Sequence, residues 1–172
     1  MQKINETKKY YPRIKKMLSG KGGLVCSEDN KIEHENLEYN EKIVYFQDES
    51  LDYVISTFMT NFIEFNNIKS YVEECLDKIK PGGLLILYIP HKYYLFDDKN
   101  AIIPNDILMM LKHISKHLFE ILDFQTYGFD GAIGDKNLQE VEYAFQMVIK
   151  KSNNTFGRKN LNDDGALVSL DD

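Results

Sequence analysis

The chain is expected to fold as an α/β domain around a mostly parallel sheet that a C-terminal antiparallel hairpin closes, and three features carry this expectation. Residues 48–91, DESLDYVISTFMTNFIEFNNIKSYVEECLDKIKPGGLLILYIPH, read as strand, helix, glycine turn and strand without a break. That order implies a crossover between parallel strands. Two later apolar stretches, HLFEILDFQTYGFD and YAFQMVIKK, read as a pair of strands. Finally, 172 residues with 43% apolar content can bury a sizeable core, in one domain.

The first element is read over residues 6–18, where Tyr10, Tyr11, Ile14, Met17 and Leu18 interleave with Lys8, Lys9, Arg13, Lys15 and Lys16. An amphipathic helix packed on the sheet, with Pro12 in its first turn, accounts for this pattern. A basic patch whose tyrosines stack on nucleic acid is the competing reading. The net charge of -6 and the lack of a sharp motif weigh against nucleic acid. Next come Gly20, Gly22 and Gly23, then an apolar first strand at Leu24, Val25 and Cys26. Residues 31–47 hold a polar segment, EHENLEYNE, and a strand is expected over 42–46. A helix, a strand and two loops do not fit comfortably into these seventeen positions, so the sheet should be narrow.

Residues 51–56 form a short apolar run bounded by Asp48, Glu49 and Ser50, as in a strand buried on both faces. Over 68–79, Val72, Cys75, Leu76 and Ile79 recur at three- and four-residue steps, with charged residues between them, which predicts a helix. Lys80, Pro81, Gly82 and Gly83 stop it, and 84–89 is the following strand. A helix over 103–118 and strands over 119–127 and 143–150 complete the domain, 1–151, with the turn-rich GFDGAIGDKN between the last two strands. Residues 152–172 read as a flexible or partner-bound tail ending in a candidate docking peptide, GALVSLDD.

Some classes are excluded or disfavoured. No apolar run reaches the roughly 18 residues of a membrane span, and the polar start is unlike a signal peptide, so a cytoplasmic location is expected. Cys26 and Cys75 are too few for a disulfide framework and are read as reduced thiols. His113 and His117 have the four-residue spacing of metal ligands but no accompanying glutamate, so no metal is expected. His91 follows a strand's carboxyl end, where α/β sheets place ligands, and is the one candidate general base.

DESLDYVIS and KPGGLLILYIPH at this spacing resemble the middle of a class I S-adenosylmethionine-dependent methyltransferase, most closely the type 11 group, and the likeness runs over about residues 48–151. It implies a Rossmann-like fold with S-adenosylmethionine at the carboxyl ends of the strands. In that family the first strand runs into an acidic, glycine-rich turn, D-x-G-x-G, and a second acidic residue ends the second strand and binds the ribose. Here the glycines precede the strand, and Cys26 and Glu28 stand where turn glycines would. The family's histidine-containing SSHVLEH motif is replaced by STFMTNFIEF. The resemblance therefore implies a truncated methyltransferase fold, without S-adenosylmethionine, serving as a non-catalytic binding or structural subunit. Its partner, a protein or a second copy, would meet the apolar loop from Phe58 to Phe65 and the tail. The alternative is a minimal active methyltransferase of unknown acceptor, with Glu28 or Asp29 near the ribose or methionine amine and Asp48 or Glu49 near the adenine.

Overall fold

The structure is a computed structural model that describes residues 5–90, 103–127 and 144–153. It holds a six-stranded mixed sheet in the order β2-β1-β3-β4-β6-β5. The strands are β1 (Gly22–Cys26), β2 (Leu37–Asn40), β3 (Leu51–Thr57), β4 (Ile79–Pro90), β5 (Phe119–Tyr127) and β6 (Ala144–Lys151). β1 pairs in parallel with both β2 and β3, and β3 with β4, while β6 runs antiparallel to β4 and β5. This is the predicted fold class.

The central unit forms where the sequence is least ambiguous. Leu51, Tyr53, Val54 and Ile55 are buried because β3 is covered on both faces. α2 (Ile68–Lys78) then presents Ile68, Val72, Cys75 and Leu76 to one face of the sheet. There they join α3 (Pro104–Leu111), Ile43, Phe46 and the inward residues of β4 and β6 in the larger core. The opposite face is covered by α1 (Glu6–Ile14), whose Tyr10 and Ile14 meet Leu24, Tyr53, Ile55, Ile86 and Tyr88 in a second core.

Several element boundaries differ from the sequence reading, each for a physical reason. The second strand is at Leu37–Asn40, inside the polar segment, and the expected strand over 42–46 is a 3-10 turn at Ile43–Tyr45. Ile43 and Phe46, three apart, are buried against α2 while Val44 and Tyr45 face water, which is the period of a turn rather than a strand. Pro12 sits inside α1 rather than in its first turn, on the exposed side, and the helix tightens into a 3-10 turn at Lys15–Met17. α3 stops at Leu111, because the chain must turn back through Ile114 and His117 to start β5 at Phe119. β4 begins at Ile79, directly after α2, and Lys80 to Gly83 form a bulge within it, with Gly82 at φ 83. Only glycine adopts that conformation without a Cβ penalty.

The carboxyl terminus of α2 is closed by a buried lysine. Lys151 Nζ donates to the carbonyls of Leu76 (2.8 Å) and Ile79 (2.7 Å). A cation at the negative end of the helix is favourable, and at Leu76 it adds to the bond that the carbonyl accepts from the Ile79 N–H. Burial lowers the Lys151 pKa from its ordinary value, against the pull of Glu49 and Asp77. Asp77, on the same turn, accepts from His117 Nε2 at 2.7 Å and from Lys116. His113 and His117 therefore do not act as a pair: His113 is exposed beyond the end of α3, and His117 is half-buried on Asp77.

Candidate functional site at the carboxyl edge of the sheet

The chain leaves β1, pairs β2 on one side, and returns to place β3 on the other side of β1. The carboxyl ends of β1 and β3 thus flank the point where strand order reverses, the usual ligand position in an open α/β sheet. The register sets Cys26 beside Thr57 at this point. Both are buried.

This position is closed by α1. Asn5 caps the helix by accepting from the Lys8 N–H at 2.8 Å. Its side-chain amide also donates to the Lys31 carbonyl at 2.7 Å. The Glu6 N–H donates to Asn30 Oδ1 at 2.9 Å, which ties the start of the helix to the turn after β1. Thr7 Oγ1 and Thr57 Oγ1 lie 2.9 Å apart, with Thr7 at 0% and Thr57 at 1% exposure. Burial pushes the Cys26 thiol up to about 11, although a hydrogen bond with Thr7 pulls it down. One turn further along α1, Tyr10 stacks on Tyr88 with ring centroids 4.7 Å apart. Tyr10 is therefore a core residue, unavailable to stack on bases.

The glycines before β1 serve packing. A Cβ on Gly22 would lie 2.1 Å from the Tyr53 ring, and one on Gly23 would lie 2.6 Å from Leu51. They admit neighbouring side chains at the amino half of β1, so no glycine turn stands at its carboxyl end. A 3-10 turn, Glu28–Asn30, follows instead.

The structure separates the other predicted residues. Glu28 and Asp29 are exposed on that turn, at the carboxyl edge. Asp48 and Glu49 precede β3, and β3 rises about 20 Å at about 3.3 Å per residue. Glu28 and Asp29 thus stand at the opposite edge of the sheet from Asp48 and Glu49. Asp48 and Glu49 pair instead with Lys78 and Lys151 at the amino edge. His91 lies outside the described residues, as do the turn-rich 128–143 and nearly all of the tail. In the loop after β3, Phe58 adopts φ 57, an uncommon conformation for a bulky residue. Phe58 packs on the second core and Met59 and Ile63 on the first, whereas Phe62 is 71% and Phe65 43% exposed.

One acid was missed. Glu41 directly follows β2, so it occupies the end of the second strand, 15 positions after Cys26. Placing that strand at 42–46 hid it. Beside it, the Tyr39 hydroxyl is buried without a hydrogen-bond partner among the described residues, and Lys31 Nζ lies 5.0 Å from the ring centroid. Burial raises the Tyr39 pKa, and the nearby Cys26, Glu41 and Glu28 raise it further.

Comparison with solved structures agrees with the architecture. An S-adenosylmethionine-dependent methyltransferase from Methanosarcina mazei superposes with a TM-score of 0.56 at 16% identity, covering 84% of this chain and 99% of its own. One from Mesorhizobium loti gives a TM-score of 0.55 at 13% identity, covering 83% and 97%. A chain from the Haloferax volcanii complex of the Trm112 methyltransferase activator with a protein named a methyltransferase gives 0.55 at 11% identity, covering 86% and 78%. No protein-family model and no curated protein matches the sequence. The chain has the fold of the class I S-adenosylmethionine-dependent methyltransferases.

S-adenosylmethionine fits this carboxyl edge poorly. Glu41 and the orphan Tyr39 hydroxyl are suited to ribose, but Cys26, Thr7 and Thr57 fill the space beside β1 where a glycine turn would admit the methionine end.

Proposed function

We propose that the protein is a methyltransferase-like scaffold that no longer binds S-adenosylmethionine and acts in the cytoplasm as a non-catalytic binding or structural subunit. The buried hydrogen bond between Thr7 and Thr57 carries this reading. It ties the chain's own first helix to the end of β3 at the strand-order reversal. The partner surface is the loop after β3, whose exposed Phe62 and Phe65 flank the closed groove. A protein or a second copy of the chain would cover them. The similarity to a chain from an activator complex supports such partnering. No helix among the described residues is long and apolar enough to cross a membrane.

A second reading, a minimal active methyltransferase, rests on Glu41 and the orphan Tyr39 hydroxyl. Titration calorimetry with S-adenosylmethionine separates the two. No saturable heat is expected. Micromolar binding that Glu41→Gln weakens would overturn the scaffold reading in favour of the enzyme.

A further inference from the structure

At the opposite, amino edge of the sheet lies a cavity of about 540 Å³, between the 3-10 turn after α1, the bulge of β4 and the ends of β5 and β6. Its volume is that of a small-molecule site. Leu18, Leu84 and Leu122 give it apolar lining. Lys80, Lys150, the cross-strand neighbour of Leu84, and Asn153 add polar groups to the lining. Most lysines at this edge are committed: Lys21 to Glu38, Lys78 to Asp48, Lys80 to Asp52 and Lys151 to Glu49. Lys150 differs. It is half-buried, and no acidic group lies within 4.0 Å of its ammonium among the described residues, although Glu120 is its cross-strand neighbour. Asp52, the one carboxylate lining the cavity, is held by the Lys21 N–H at 2.7 Å and by Lys80 Nζ at 3.1 Å.

We propose that this cavity binds a small amphipathic anion, with a carboxylate or phosphate head on Lys150 and an apolar body against Leu18, Leu84 and Leu122. An anion placed on the Lys150 ammonium gains a charge-assisted hydrogen bond. The apolar lining supplies the remaining burial. This site is independent of whether the carboxyl edge binds S-adenosylmethionine.

The test is titration of the full chain with phenyl phosphate and, separately, phenylacetate, followed by amide NMR shifts. At least one of the two should give saturable shifts at Gly82, Gly83, Leu122 and Asn153, and the tighter one identifies the head group. Lys150→Gln should weaken that binding about tenfold, as expected for one lost charge-assisted contact. Lys150→Arg should retain it, and Lys116→Gln, outside the cavity, should leave it unchanged. Failure of both ligands to saturate, or equal affinity in a folded Lys150→Gln variant, would overturn the proposal.

Discussion

The closure of the carboxyl edge can be tested by a double-mutant cycle on Thr7 and Thr57. Both hydroxyls are buried, and they lie 2.9 Å apart. Replacing either threonine with valine keeps the shape but leaves the other hydroxyl facing an apolar group. An unsatisfied buried polar group costs about 1–3 kcal/mol, and Thr7 also loses its hydrogen bond with Cys26. Each single variant should therefore be destabilised by about 2 kcal/mol, a fall of roughly 4–8 °C in Tm for a chain of this size. The double variant leaves neither hydroxyl orphaned, so it should lose only about 2.5 kcal/mol, which gives a coupling of about 1.5 kcal/mol. Urea titration followed by circular dichroism, with an unchanged m-value, measures all three variants. Additivity within about 0.4 kcal/mol would refute the reasoning, because it would mean that water reaches both hydroxyls and the groove is open.

Two further predictions concern the amino edge. Lys151→Met should destabilise by about 2 kcal/mol, since two charge-assisted hydrogen bonds are lost while the desolvation of the ammonium is relieved; chemical denaturation checks this. Acidification should weaken the fold in two stages, measurable as ΔG of unfolding against pH. Burial lowers the His117 pKa, with Lys151 and Lys116 adding and Asp77 opposing. Its contribution is present above the ordinary value of about 6.5 and lost as pH falls through the lower folded value. For Asp77, burial raises the pKa but the hydrogen bonds from Lys116 and His117 outweigh it, so the net shift is downward. Its contribution is present above about 3.9 and lost as pH falls through the lower folded value. His117→Gln should abolish the first stage and reduce the second, because Asp77 keeps Lys116 but loses the charge of the imidazolium.

The central unit was legible because its residues obey one simple rule. β3 and the main run of β4 are buried on both faces and so read as unbroken apolar stretches, and α2 is buried on one face and so repeats every three or four residues. β6 was legible for the same reason, being buried along almost its whole length. β2 was not, because an edge strand buries little: only Leu37 is fully enclosed, and Glu38 faces water. Misplacing it by a few residues moved Glu41 from a strand's end to the approach of a strand, which hid the acid that directly follows β2.

For the site, the sequence by itself determined that Cys26 and Glu28 stand where the resembling family has turn glycines. Only the tertiary structure decided what lies beside Cys26. Thr7 and Thr57 are fifty positions apart, and they meet because Tyr10 and Ile14 bury themselves on the face of the sheet that α2 and α3 leave open. That burial is non-directional and sets no partner for Thr7 in the local pattern. The hydrogen bond between them follows from where the helix comes to rest.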